Sequence, residues 1–572
     1  MISVDVVGGS IVVDAPSRLA PIIGRIPGVK VTGEGWCGPA TLANFAAIMS
    51  ELSGLEGFTP SAAASAAMGA AKGVRNNLGQ IPASTAALLD SHAGAVQSGM
   101  ALYEYQRDGV SRLVKGGCLL GDEMGVGKSC QAAAAAWMVG GPVLVVAPNS
   151  MKYRWVEEFA TWAPGFVPFV VGGTAKQKVA TLADAAVAVM AGEQVVVVVN
   201  WEALRTLTRM SGYGSIKLTD KERVSGPLNH IDWNVVVADE AHRAKDAKSK
   251  QTRALWYVSK GAEFRWALTG TPVLNTPGDL WSIGRVYNPE EYGDSRHAWH
   301  NRFVDYIDTQ FGPKDIGLRK DRLPEFEFWF DASSIRRTKD EVLDLPEVTH
   351  QTRLLDLEPK QKAAYARMRD EMILGVEGGA IVATDPLVLM LRLSQIASAT
   401  PVVDDMDVVG LVAPSNKVKA VLELLDELGD KQLVVFAQSR KLIELLAERL
   451  ESSGVSFMSI TGAVSPEHRA VNVSAFQAGE VRVALCTLGA GSEGINLFAA
   501  DTVCFMQRSY SYGMSQQAEA RVHRIGQDRP VTVIDLVSKD TLDLVVLEAL
   551  VSKQGMAEEV LRDHARQLLR MS

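Results

Sequence analysis

Two stretches of the chain alternate short β-branched runs with helical patterns, and that alternation restricts the fold to parallel α/β sheets covered by helices. In the first, residues 96–275, the runs are Cys118–Leu120, Val143–Ala147, Val195–Val199, Val235–Ala238 and Trp266–Leu268. In the second, residues 413–545, they are Leu433–Phe436, Phe457–Ile460, Val483–Cys486, Thr502–Phe505 and Val531–Leu536. Runs this apolar read as central strands buried on both faces. Residues 276–412 gain aromatics and charge, with Trp281, Tyr287, Trp299, Phe303 and Tyr306, then carry a helical pattern over 360–377; they read as helical insertions and an inter-lobe linker. Residues 1–95 read as a small accessory domain: a hairpin of Ile2–Val7 and Ile11–Val13, a helix over 40–52, and an alanine-rich linker or weak helix over 62–72. Residues 546–572 read as a C-terminal helix packing back on the rest. The expected fold class is α/β: two tandem doubly wound lobes with helical insertions and a small N-terminal α+β domain.

Composition narrows the function classes. At 47% hydrophobic and 22% charged residues, the 572-residue chain has the balance of a globular protein rather than a disordered one. Fifty-eight Lys+Arg against 66 Asp+Glu leave a net charge of -8, so any polyanion site must be a local basic stripe. The five cysteines form no C-x-x-C pair, which argues against a thiolate zinc site or disulfide framework and fits a reducing compartment. Apolar runs such as Val195–Val199 fall far short of the roughly 18 to 20 residues that span a bilayer. The opening MISVDVVGGSIVVD has an acid inside its apolar stretch and no basic start, so a secretory signal is not expected and a cytoplasmic location is.

The stretch GDEMGVGKS (residues 121–129) lies between a strand pattern and a helix pattern, and places Gly125, Gly127, Lys128 and Ser129 where a phosphate cradle needs them. Glycines let backbone N–H groups curl around phosphate oxygens, and the following helix points its positive dipole end at them. Lys128 is expected to reach the β- and γ-phosphates of ATP, and Ser129 to ligate Mg2+. The general phosphate-loop pattern needs glycine at position 122, where this chain has Asp122. Downstream, Asp239 and Glu240 follow an apolar run at the carboxyl end of a strand, where open α/β sheets hold ligands. Asp239 suits Mg2+, and Glu240 suits orienting and deprotonating the attacking water. Thr269 and Thr271 sit at a further strand end, either as hydroxyls reporting γ-phosphate occupancy or in an ordinary turn.

In the second lobe, QAEARVHRIGQ (517–527) sets Arg521 and Arg524 three apart on an expected helix, so both guanidinium groups would leave one face. Offered to a γ-phosphate, such groups stabilise the charge of transfer. The Gly-rich TLGAGSEGINL (487–497) suits close backbone approach to phosphates, and Gly494 and Gln517 are candidate nucleotide contacts.

Taken in order, these segments resemble superfamily-two helicase motors, and more narrowly the SWI/SNF-like DNA translocases, over residues 100–545. LYEYQRDGV supplies Gln106 as the adenine-reading glutamine; DEMGVGKS is similar to that family's own phosphate loop, which carries an aspartate at the place of Asp122. VVAPNSMKYRW, with Trp155 at its end, VVVNWEAL, DEAH and LTGTP follow in register. SIRRTKDEVLDLPE, SNKVKAV, VVFAQSR, ITGAVSPEHR and the Arg-Ile-Gly-Gln ending at Gln527 complete the set. Asp344, Glu358 and Lys360 mimic a nuclease pattern, but Leu357, Pro359, Gln361 and Tyr365 match the family at that place. The family's W-N-P segment is here replaced by QRSYSYGMSQ (507–516). Pro27, Gly28, Trp36 and Pro39 are similar to the small module of the annealing-helicase (HARP-like) branch.

The resemblance implies two RecA-like lobes and a monomeric, DNA-dependent ATPase that uses ATP and Mg2+ to translocate on double-stranded or branched DNA. The nearest alternatives are a strand-separating helicase and an ATP-gated DNA clamp. Asn149, Lys152, Arg154, Arg243 and Lys245 are the candidate phosphate contacts, and no membrane partner is expected. The cell context implied is bacterial or phage-infected cytoplasm, or the nucleus of a eukaryote.

Overall fold

The structure is a computed structural model that describes the whole chain other than residues 1, 9, 25, 27–28, 33–34, 53, 56, 67–80, 97–99, 211–217, 272–277, 310–311, 377–378, 383–385, 404–408, 465, 492–494 and 562–572. Gly494, Pro27, Gly28 and part of the alanine-rich 62–72 stretch therefore lie outside the described residues. The chain divides into two compact units between Thr338 and Lys339, the second running to Gly555.

The first unit is built on a seven-stranded parallel sheet in the order Ser334–Ile335, Cys118–Leu120, Phe264–Leu268, Val235–Asp239, Val143–Ala147, Val195–Asn200, Val167–Val170. Its central strands are apolar at every position because both faces are covered. Val195, Val197 and Val199 enter one core with Trp201 and Leu182, while Val196 and Val198 enter the other with Val143, Val145 and Trp155. Each such valine contributes about 1.5 to 3 kcal/mol relative to an exposed one, so the alternation specifies two layers of helix rather than one. The helix Lys128–Val139 lies on this sheet through Ala132–Ala136, all fully buried; methyl side chains let its axis approach closely.

The N-terminal part of this unit is a five-stranded sheet, ordered Lys30–Thr32, Gly35–Pro39, Ser10–Asp14, Ile2–Val7, Phe58–Pro60, around a core with the helix Leu42–Leu52. That helix packs against Leu323–Ser333. Glu51 takes ion pairs from Arg322 and from Arg302 (3.6 Å), and Arg302 also grips Glu325 through both carboxylate oxygens at 2.7 and 2.8 Å.

The second unit is a six-stranded parallel sheet ordered Val348–Leu355, Val531–Ser538, Thr502–Phe505, Leu433–Ala437, Val483–Thr487, Phe457–Ile460. Phe457–Ile460 is an edge strand rather than a central one. The helix Leu542–Leu561, which follows the strand Val531–Ser538, carries in its first turn Asp543, whose carboxylate pairs with the fully buried Lys417 at 2.5 Å.

Residues 276–412 differ most from expectation. They carry helices, but also an edge strand for each sheet and three antiparallel hairpins, Val304–Thr309 with Gly312–Leu318, Ile373–Val376 with Gly379–Val382, and Thr400–Val403 with Val409–Val412. The helix expected over 360–377 stops at Glu371, because Met372 takes a left-handed φ of 56° and turns the chain into the strand Ile373–Val376.

Candidate active site

Cys118–Leu120, Phe264–Leu268 and Val235–Asp239 are adjacent and parallel, so the loops leaving their carboxyl ends meet at one edge of the sheet. These loops are the Lys128 loop, the Thr269–Thr271 turn and the Asp239–Glu240 pair. Gly125 and Gly127 have φ of 87° and 85°, a conformation that L side chains rarely adopt. A Cβ on Gly127 would lie 2.5 Å from the Gln106 amide nitrogen. Gln106 is buried against the loop: its Nε2 donates to the Val126 carbonyl at 3.3 Å, and its Oε1 accepts from the Tyr103 N–H at 3.0 Å. The Tyr105 hydroxyl donates to the same Val126 carbonyl at 3.1 Å.

Lys128 opens the helix Lys128–Val139 and its Nζ donates to the carbonyls of Asp122 (2.8 Å) and Glu123 (3.1 Å). Burial lowers its pKa, opposed by the negative charges of Glu240, Asp122 and Asp239. Ser129 is the next helical residue. Asp239 ends its strand buried, accepting from Trp155 Nε1 at 2.8 Å and from the Glu240 N–H at 3.0 Å, while Trp201 Nε1 donates to its carbonyl at 2.9 Å. Burial first, and Glu240 second, push the Asp239 carboxyl well above the usual carboxylate range, against the Trp155 bond and Lys128. A hydroxyl and a buried carboxylate whose charge is disfavoured are hard oxygen donors that a divalent cation would suit, so Ser129 and Asp239 fit Mg2+.

Glu240 itself has φ 51° and ψ 50°, left-handed for a non-glycine residue, and this strain re-aims its side chain out of the strand direction. His242 Nδ1 lies 3.2 Å from Glu240 Oε2 and 3.2 Å from Thr269 Oγ1, so the histidine joins the acid to the threonine turn. Thr271 N–H donates to the Thr269 hydroxyl at 3.2 Å.

Asp122 is fully buried and does not face a phosphate. Arg337 holds it with Nε to Oδ1 at 2.9 Å and Nη2 to Oδ2 at 2.6 Å, and Gln131 adds a bond at 3.2 Å. The same Nη2 donates to Gln131 Oε1 at 2.9 Å. The neighbouring Arg336 donates to the carbonyls of Gly121 (2.7 Å) and Gly270 (2.9 Å), pinning the phosphate loop to the threonine turn. Local patterns give no sign of these pairings, which span up to 215 residues of sequence; Gln131, three residues after Lys128 on the same helix, is the one partner a helical wheel would have put near the loop.

In the second unit, Arg521 and Arg524 are not on a helix. The helix is Tyr512–Glu519, and the chain then turns, with Arg521 N–H bonded to Ala518 O at 3.2 Å and Val522 N–H to Glu519 O at 3.1 Å. Arg521 Nε donates to the carbonyl of buried Gln517 at 3.2 Å; Arg524 donates to Asn496 Oδ1. Gln527 clamps the carbonyls of Phe498 (3.0 Å) and Ala500 (2.8 Å). In the segment that replaces W-N-P, Gln507 turns inward to Ser398 Oγ (2.8 Å), and Arg508 stacks 3.5 Å over the Phe505 ring between Asp535 and Glu519. Of the nuclease-like set, Glu358 stands at the N-cap position of the helix Pro359–Glu371 and Lys360 in its first turn, while the family-matching Gln361 is buried on Ile396 O at 3.0 Å.

Of the candidate DNA contacts, Lys152 is only 7% exposed and its Nζ donates to the Val171 carbonyl at 3.0 Å, so its amine faces inward rather than toward a polyanion. Arg154 is offset by Glu157 (3.0 Å) and Glu158 (2.9 Å), and Arg243 pairs with Glu202 at 3.1 Å. Asn149 is exposed in the turn Asn149–Met151, and Lys245 is half-buried just beyond the turn Ala241–Ala244.

Two tandem RecA-like lobes, one with a glycine–lysine loop beside an Asp-Glu strand end and one with paired arginines, define a helicase-type α/β architecture. Residues 88–401 match the SNF2-related domain and residues 416–526 the helicase conserved C-terminal domain; the chain belongs to the SNF2-related family. It is 28% identical over 487 residues to the mouse chromodomain-helicase-DNA-binding protein 1-like, covering 81% of this chain and 50% of that protein. It is 27% identical over 484 residues to the mouse DNA annealing helicase and endonuclease ZRANB3, covering 82% of this chain and 41% of that protein. The chain thus spans half or less of these relatives' length. It is also similar to the Sulfolobus solfataricus SWI2/SNF2 ATPase core in complex with dsDNA, at 23% identity over 81% of this chain and 94% of that one; the TM-score of 0.34 is too low for residue correspondences. Among the described residues, no helix is long and apolar enough to cross a membrane.

Proposed function

We propose that the chain is a DNA-dependent ATPase that translocates on double-stranded DNA and so remodels DNA or protein–DNA complexes. The observation that carries this reading is the meeting of Lys128, Asp239, Glu240 and Thr269 at the carboxyl ends of three adjacent parallel strands. Supporting it are the family membership and the DNA-acting relatives.

In this reading ATP enters the Lys128 loop and Lys128 exchanges its two loop carbonyls for phosphate oxygens. Ser129 and Asp239 would hold Mg2+, which when bound would supply neutralisation of the phosphate charge. Glu240 accepts a proton from the attacking water as the new P–O bond forms and the bond from the γ-phosphorus to the bridging oxygen breaks, leaving ADP and phosphate. Arg521 and Arg524 offset the charge that spreads over the transferring group. Gln106, packed on Val126, positions the loop and reads the base. Backbone phosphates, met by Asn149, Lys245 and Arg243, would give salt-sensitive, nearly sequence-independent DNA binding. The protein would act as a monomer.

Hydrolysis rates measured without polymer and with single strand, duplex, forked duplex and RNA test this directly. Duplex or forked DNA should stimulate most, and displacement of a third strand from a triplex should follow. Equal rates with every polymer would refute DNA dependence, and stimulation without displacement would leave a clamp.

A further inference from the structure

We propose that Lys339 is a positioning residue for hydrolysis, holding the turn that presents Arg521 and Arg524 through the carbonyl of His523, which lies between them. The inference rests on the role given to those arginines above. Lys339 is 5% exposed and its Nζ donates to His523 O at 2.7 Å. The His523 ring is held from the same short segment, with Nε2 3.0 Å from the Pro346 carbonyl.

The hold matters because of where the arginines sit. They follow the last turn of Tyr512–Glu519, where local bonds such as His523 N–H to Glu519 O at 3.1 Å continue but the regular helix does not, so tertiary bonds share in fixing their backbone. One set comes from the Gly-rich segment: Leu497 N–H donates to Arg521 O at 2.9 Å, and Gln527 clamps Phe498 and Ala500. The other comes from Lys339 and Pro346. An ammonium buried to this degree is costly unless well bonded, and here it is bonded to the one carbonyl whose displacement would move both guanidinium groups.

Its neighbours in sequence serve the other unit. Arg336 and Arg337, immediately upstream, grip Gly121, Gly270 and Asp122 around the phosphate loop. One tetrapeptide, Arg336–Lys339, therefore carries a hold on the phosphate loop in the first unit and a hold on the arginine turn in the second.

The test compares Lys339→Met, Lys339→Arg, Arg524→Ala and the Lys339→Met/Arg524→Ala double variant in the full chain, by binding of a fluorescent ATP analogue, duplex-stimulated kcat and KM, and melting midpoint. Lys339→Met should bind nucleotide within about twofold of the parent, keep its midpoint, and lose about 10- to 100-fold in kcat. Lys339→Arg should recover most of that loss, and the double variant should lose less than the product of the two single losses, since both changes act on Arg524 while Lys339→Met also acts on Arg521. A Lys339→Met protein with the parent's kcat overturns the proposal, as does a double variant in which the losses multiply. Should Lys339→Met fail to melt cooperatively, Lys339→Gln is read by the same criteria. Full turnover in Arg524→Ala would instead remove the arginine assignment itself, a result distinct from fast Lys339→Met beside slow Arg524→Ala.

Discussion

Lys128, Asp239 and Glu240 in the first unit take their positions from regular structure: the lysine starts a helix, Asp239 is the last residue of a strand, and Glu240 is the left-handed residue that follows. Arg521 and Arg524 in the second unit lie outside regular structure, in a turn held by a few local backbone bonds and by side chains and carbonyls from residues distant in sequence. Two sheets of the same parallel type thus fix their functional groups by different means. The first site should depend on distant residues mainly through Arg336 and Arg337, and the second should depend on them throughout its arginine turn.

The largest effect expected is on turnover when the first site loses its cation. Lys128→Ala should cut hydrolysis by on the order of 10^3-fold or more, with an unchanged circular dichroism spectrum and melting midpoint. Undiminished turnover would break the comparison at its stronger side.

A stability effect comes next. Asp122→Asn leaves the buried Arg337 guanidinium with only the longer pairing to Asp108 at 3.7 Å, and removing one member of a buried pair costs about 3 to 5 kcal/mol. Urea unfolding should show a lower midpoint, and a change within error would mean that Asp108, Gln131 and the Tyr105 carbonyl, which also accepts from Arg337, suffice to hold it.

The smallest effect separates inward from outward lysines. Lys245→Ala should lower the slope of log affinity for duplex against log salt by about one, whereas Lys152→Ala should leave it unchanged. The opposite result would reverse their assignments.

In the two parallel sheets the strands visible in the sequence are those buried on both faces, with Phe457–Ile460, an edge, as the exception. The three of these sheets that escape the pattern, Val167–Val170, Ser334–Ile335 and Val348–Leu355, are all edges. Pro168 interrupts the first, the second is two residues long, and the third exposes Thr349, His350, Gln351 and Thr352 along its length. An edge strand has one neighbour, and its composition relaxes accordingly. The active site divides the same way. The Lys128 loop and the Asp-Glu pair are local motifs and lie where their spacing put them. The arginine turn reads as helix because QAEARVHR is rich in helix formers, and only the tertiary bonds of His523, Gln527 and Leu497 end it at Glu519. Asp122 with Arg337, and Lys339 with His523, are long-range pairs for which no local signal exists.

That hydrolysis needs groups from both units is the central claim, and nucleotide binding measured beside turnover in Arg524→Ala tests it most directly. ATP affinity near the parent's, with duplex-stimulated turnover lowered by on the order of 10^3-fold, is the result expected of a guanidinium that acts on the transferring phosphate. Parental turnover at saturating ATP would contradict the claim and confine catalysis to the first unit.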